Sequence, residues 1–343
     1  MKRPPHVLII GEFGPGALAL YYERAFEALG WRSSRYDMWR HYARHGLLRK
    51  HRMLRRLLRR PLWALMAREV VSLARHDPPD LVWCTKAPFL GREATKELKR
   101  RSRAPIVMVY PDSPYGAYTQ RADVLSVLSE FDRVCIWGRH LVEPLRADGV
   151  GSVVYFPFAF DPSDYGPQGP AATPSCGRRH AAVFVGQHNH KRETWLEALG
   201  GLDLGVWGLG WKHSAIRGAA EMCVHEESVR GAGVAAIYRG ATIALNILNP
   251  ENVPAHNMRT FEIPPCRTLM LTEHTDEISE FFRPGQDCLT ASTPDEFRAD
   301  AERVLARPQV ARAIAYSGWQ AAQPYTYEAR LRPLLDSLGM GPR

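Results

Sequence analysis

Three residues in one short stretch could hold a nucleotide: Asn257, Arg259 and Glu262, in the run His256-Asn257-Met258-Arg259-Thr260-Phe261-Glu262-Ile263-Pro264-Pro265. These polar and charged groups open a predicted short helix over 257–265, and the two prolines end it. A helix start offers unpaired backbone N–H groups and a partial positive charge, both suited to a phosphate. Glu262 falls about a turn further on, where a carboxylate can take both hydroxyls of a ribose. Together they would grip a nucleoside diphosphate. The competing reading is a capped helix whose Glu262 is merely solvated. The apolar run Leu269-Met270-Leu271 then reads as a buried strand.

Other stretches carry chemistry of the same kind. Gly11-Glu12-Phe13-Gly14-Pro15-Gly16 follows the apolar run His6–Ile10 and precedes a helical pattern over 17–29. Its spacing is not that of the GxGxxG dinucleotide fingerprint. The glycines either admit a ligand close to the backbone or simply make the turn. Pro111-Asp112-Ser113-Pro114 sets an aspartate between prolines, as an Asx turn or as a group facing a substrate. Lys86 stands in a similar loop after an earlier strand. Gly186-Gln187-His188-Asn189-His190-Lys191-Arg192 ends another strand with two adjacent cations. Its His-Asn-His run has neither carboxylate nor thiol beside it in sequence, so no metal is expected there.

The run Asn257–Glu262, followed by Leu271-Thr272 and Phe281-Phe282-Arg283-Pro284-Gly285, resembles the nucleotide-sugar site of GT-B glycosyltransferases of the group 1 type. It is most similar to their CgeB-like (spore-maturation protein-like) branch. The resemblance is strong over about 240–340 and architectural before that. It implies an α/β chain with the GT-B fold, two Rossmann-like parallel-sheet domains facing across a cleft, and a C-terminal helix crossing back to the first domain. It also implies a nucleoside-diphosphate sugar (UDP-, GDP- or dTDP-) as co-substrate, a glycan, lipid-linked or small-molecule acceptor, and no bound metal. On this reading Gly14, Gly16, Gly186, Gln187, Lys191, Arg192, Asn257, Arg259 and Glu262 bind the donor, while Asp112 and Glu12 serve the acceptor and catalysis. In the wider family two glutamates stand eight residues apart, and the second contacts the donor ribose. Glu262 matches that second glutamate, whereas the earlier position is Pro254. Retention is usual in the family; with Pro254 the stereochemical outcome stays open.

The elements that would position these residues alternate between strand and helix. Apolar runs at 80–84, 106–110, 133–137 and 152–156 are separated by helical patterns over about 91–101, 119–129 and 139–147. The alternation restarts with strands at 180–186, 204–208, 222–225 and 241–247 and helices over about 193–200 and 234–239. Such alternation predicts parallel sheets whose ligands bind at the carboxyl ends of the strands. After the central stretch, helices are expected over 276–282, 295–306, 309–322 and 325–338. The Pro- and Gly-rich segment without periodicity marks a linker. The expected domains are thus 1–160, a linker over 161–179, 180–322, and a final helix within 323–343.

The 343 residues suffice for two such cores, with 45% hydrophobic and 24% charged residues and no apolar run as long as a membrane span. The N-terminus runs straight into a strand, which predicts no signal peptide and a cytoplasmic protein. Six cysteines (84, 135, 176, 223, 266, 288) are scattered singly, which predicts reduced thiols rather than disulfides or zinc. A net charge of +9 owes much to one stretch, 47–65, where Leu47, Leu54, Leu57, Leu58 and Leu65 recur at helical spacing among seven Arg/Lys between 49 and 60. It reads as a helix with a solvated cationic face, or as peripheral contact with an anionic membrane on its inner side. No recognition motif or aromatic platform points to nucleic acid. A nucleotide-sugar epimerase and a non-catalytic sugar- or nucleotide-binding protein of a surface layer are the alternative readings.

Overall fold

The computed structural model describes residues 3–40, 52–116, 121–166 and 179–341, with the backbone alone at 52–56 and 121–123. It divides into two units, Met1–Pro157 with Leu331–Arg343, and Phe158–Arg330.

In the first unit six strands form one parallel sheet: β1 (His6–Gly11), β2 (Arg32–Asp37), β3 (Leu81–Thr85), β4 (Ile106–Tyr110), β5 (Arg133–Ile136) and β6 (Val153–Tyr155). Their order is β2-β1-β3-β4-β5-β6. All residues of β1 and β3 are buried, as helices on both faces require, and so they read as unbroken apolar runs. The polar strand β2 lies at the sheet edge and buries only Tyr36. Trp83 anchors the core, with its ring 4.9 Å from Tyr22 and 5.3 Å from Phe26. The order in which strands are added reverses between β1 and β3, so the switch point of this sheet lies at their carboxyl ends.

The second unit repeats the architecture with β7 (Ala182–Val185), β8 (Leu204–Trp207), β9 (Met222–His225), β10 (Ile243–Asn246), β11 (Leu269–Glu273) and β12 (Leu289–Ala291). The order β12-β11-β10-β7-β8-β9 is, within this unit, the 3-2-1-4-5-6 order of the doubly wound fold. Its switch point falls between β7 and β10, which pair in parallel.

Most elements lie within a few residues of their expected places. Strand β12 is unforeseen: three residues between the Pro284-Gly285 turn and the Thr293 cap are too few to show periodicity. The expected linker also contains a short helix, Pro162–Tyr165, capped by Asp161, whose carboxylate accepts from the Ser163 and Asp164 N–H groups. Residues 167–178 of that linker, Cys176 among them, lie outside the described residues.

The basic stretch belongs to a longer helix, Arg52–His76, with Pro61 inside it. Leu47, Arg49 and Lys50 lie outside the described residues. Met66, Ala67, Val70 and Ala74 are buried, whereas Leu57, Leu58 and Leu65 are 73%, 42% and 48% exposed. From Met66 onward the helix buries one face, while Leu57, Leu58 and Leu65 show their side chains to solvent. Among the described residues no helix is long and apolar enough to cross a membrane.

Candidate functional site

The helix at the centre of the sequence reading is Met258–Glu262, five residues long, after the loop that leaves β10. A capping box holds its start: the Thr260 N–H donates to Asn257 Oδ1 at 3.1 Å. A buried amide network fixes the cap to the sheet. Asn257 Nδ2 donates to Asn246 Oδ1 at 2.9 Å, and Asn246 Nδ2 donates to Thr260 Oγ1 and Thr272 Oγ1 at 3.2 and 3.1 Å. Pro264 and Pro265 end the helix in a 3-10 turn, as expected.

Two expectations about this helix change. Its Thr260 N–H is taken by its own cap, and five residues build little dipole, so a phosphate here depends on side-chain cations. Glu262 is not solvated: it is buried and ion-paired with Arg259 Nη1. Burial works against the Arg259 charge, and the Glu262 carboxylate outweighs it, holding the guanidinium pKa above its ordinary value.

The loop after β7 meets that after β10 at the switch point. Asn189 caps the His190–Glu197 helix, accepting from the Arg192 N–H at 2.9 Å, which fixes the two cations that follow it. Arg192 Nε donates to the Ile247 carbonyl at 3.1 Å and Nη1 to the Gln187 carbonyl at 2.9 Å, with its guanidinium 5.5 Å from the Phe184 ring centre. Burial, and then repulsion from Arg259, lower the Arg192 pKa to about 10. A cation held against carbonyls beside a second cation is short of negative charge, which a diphosphate supplies. Lys191 differs, since its Nζ is bound to Glu273 Oε1 at 2.6 Å. Contrary to the sequence expectation, a carboxylate does stand beside the His-Asn-His run: His188 Nε2 lies 2.8 Å from Glu193 Oε2.

Gly186 is needed for space: a Cβ there would stand 2.8 Å from the Phe184 ring. Gly208 at the end of β8 has φ +156°, and a Cβ on it would come within 1.9 Å of the Gly186 carbonyl oxygen. Trp207 is buried and stacked on His225, so it is a packing residue here.

Glu12, Gly14, Gly16 and Asp112 belong to the first unit, at the carboxyl ends of β1 and β4. The Gly14 carbonyl accepts from the Ala17 N–H at 3.1 Å, and Gly16 has φ +73°, a conformation that favours glycine. This loop is therefore a true turn into the Leu18–Ala28 helix. Asp112 pairs with Lys86 Nζ, both partly exposed, and Lys86 follows β3 with φ +42°, in the left-handed region. The lysine and aspartate loops singled out in sequence thus form one charged pair.

Sequence reasoning missed Tyr238 and Glu273. The Tyr238 phenol is fully buried, its hydroxyl finds no hydrogen-bond partner among the described residues, and it interacts electrostatically with Arg259, Glu262 and Arg192. It sits in a helix whose apolar pattern gave no sign of this. Glu273 ends β11, and only the parallel pairing of β11 with β10 brings it to Lys191.

Residues 190–336 match the model of a family described as glycosyl transferase-like, a stretch that holds Lys191, Arg192, Asn257, Arg259 and Glu262. Comparison with curated proteins finds no match. Solved structures of the same architecture include Anabaena HepE in complex with UDP-glucose, with TM-score 0.66 and 13% identity over 97% of this chain and 99% of that one. The sucrose-phosphate synthase from Thermosynechococcus elongatus is similar with TM-score 0.66 and 13% identity, covering 98% and 99%. A putative UDP-N-acetylglucosamine 2-epimerase from Listeria monocytogenes follows with TM-score 0.59 and 12% identity, covering 98% and 96%. The chain has the GT-B fold. Over residues 190–336 its sequence is similar to the glycosyl transferase-like family.

Proposed function

We propose that this protein is a metal-independent glycosyltransferase of the CgeB-like branch, moving a hexosyl group from a nucleoside-diphosphate sugar to a glycan, lipid-linked or small-molecule acceptor. The observation that carries the reading is the Arg192–Arg259 pair beside buried Glu262, at the switch point of the second sheet. UDP is the favoured nucleotide, because the similar HepE structure holds UDP-glucose.

In this reading Arg192 and Arg259 stabilise the charge that develops on the diphosphate as it leaves. Glu262, held by Arg259, orients the ribose, and the backbone of Gly186 and Gln187 lines the approach. Asp112 accepts the acceptor's proton, with Lys86 holding the carboxylate in place, and Glu12 binds the acceptor. The Arg52–His76 helix docks on anionic membrane through Leu57, Leu58 and Leu65, flanked by Arg59 and Arg60, which suits a lipid-linked acceptor. Replacing the three leucines by aspartate should abolish co-sedimentation with vesicles rich in phosphatidylglycerol; retention would reject that part.

The test of the main reading is nucleotide binding followed by product analysis. UDP or UDP-glucose should raise the melting temperature of the wild type, and UDP release should depend on added acceptor. Acceptor-independent conversion of the sugar into its epimer would replace the transferase reading with the epimerase one. Silence towards every nucleotide would favour a non-catalytic role.

A further inference from the structure

The β9 edge of the second sheet gathers three side chains that the proposed transfer chemistry does not use. His180 precedes β7, and Cys223 and His225 stand two apart on the edge strand β9, which places them on one face. The ligand atoms of the three lie within 4.8 Å of one another, with Cys223 Sγ 3.3 Å from His225 Nε2. A tetrahedral zinc site with bonds of about 2.0–2.3 Å needs its donors roughly 3.3–3.7 Å apart, so these three would have to draw in by no more than about 1.5 Å.

Three details give the cluster a direction. His180 is buried, and its Nδ1 lies 2.8 Å from Asp203 Oδ1. A carboxylate only accepts, so Nδ1 carries the proton and Nε2 presents its lone pair. That Nε2 is buried and has no hydrogen-bond partner among the described residues. Histidine oriented by a carboxylate behind it is the arrangement that fixes metal-ligating imidazoles. Gly205 on the intervening strand makes the room, since a Cβ there would stand 2.6 Å from His180 Cδ2. The His225 ring is held in plane by Trp207, stacked at 4.5 Å and 11°.

We propose that His180, Cys223 and His225 form a binding site for a transition-metal dication, zinc being the best match to two imidazoles and a thiolate. Cys223 and His225 are half-buried, so the metal reaches the site from solvent and keeps an open fourth position. The ion ties the edge strand to the segment leading into β7, on the opposite side of β7 from β10. Binding releases the thiol proton of Cys223 to solvent.

The test is titration of the reduced, tag-free full-length protein with cobalt(II), then zinc. One cobalt per chain should bind with a near-ultraviolet thiolate charge-transfer band and visible bands of tetrahedral intensity, and one equivalent of zinc should displace it. Cys223→Ser should lose the charge-transfer band, and His180→Gln the tight binding. Asp203→Asn should weaken affinity about 10–100-fold, as loss of an orienting carboxylate does. Circular dichroism and UDP-induced melting shifts of the variants report folding and the nucleotide site independently. Absence of stoichiometric cobalt binding, or a band that survives in folded Cys223→Ser, would overturn the proposal.

Discussion

Replacing Arg192 by methionine should separate affinity from stability. The Arg192 pKa falls to about 10 from an ordinary value near 12.5, which at about 1.4 kcal/mol per tenfold change in proton affinity makes the charge cost roughly 3 kcal/mol. Methionine removes that cost. It also removes hydrogen bonds to the Ile247 and Gln187 carbonyls and the contact with the Phe184 ring, together about 2–3 kcal/mol. The free protein should therefore keep its stability to within about 1 kcal/mol, or a few degrees in melting temperature. Binding should behave otherwise. A charge-assisted hydrogen bond to a diphosphate contributes about 1.5–3 kcal/mol, so affinity for UDP should drop roughly 10- to 150-fold. Calorimetric titration with UDP and thermal melts with and without it give both numbers. The pH dependence has a definite sign. The folded-state pKa is depressed, so the charge destabilises fully below pH about 10; the penalty is relieved as pH rises through that value, because the folded state then loses its proton before the unfolded one. Wild-type affinity in the variant, or a loss of more than about 3 kcal/mol in the free protein, would refute the reasoning.

Glu262→Gln leaves Arg259 with no counter-charge and should cost about 3–5 kcal/mol in urea unfolding, most of it recovered in the Glu262→Gln/Arg259→Met double variant; an uncorrected double variant would show that the pair is not the source. Asp112→Asn breaks a partly exposed pair with Lys86 and should change stability by no more than about 1 kcal/mol. Its turnover should fall about 10²–10⁴-fold at unchanged donor affinity, and full activity would remove Asp112 from the role of base. Gly208→Ala drives a Cβ into the Gly186 carbonyl oxygen and should destabilise by more than about 2 kcal/mol, read as a lowered melting temperature; a neutral outcome would mean that the two loops part freely.

Much of this protein was legible in one dimension. Strands buried on both faces read as unbroken apolar runs, so β1, β3, β7 and β10 stood out, and with them the loops carrying Glu12, Lys86, Lys191 and Arg192. Asn257 and the two prolines bounded the central helix because caps and prolines act through neighbouring backbone groups. Local chemistry is written in local sequence.

Charge pairing between elements was not legible, because it depends on strand order. Whether Lys191 meets a phosphate or Glu273 is decided by which strands lie side by side, and whether Glu262, one turn from Arg259 on the same helix, is solvated or buried is decided by what packs on that helix. The cysteines looked scattered and the chain looked free of metal ligands. Parallel pairing of β7, β8 and β9, with Gly205 leaving a gap between, brings His180 to Cys223 and His225 across more than forty residues. Sequence alone determined most of the elements, their kind and the side chains at their ends. Tertiary structure decided which of those side chains face one another, because burial forces each charge and lone pair to find a partner that only the packed sheet can supply.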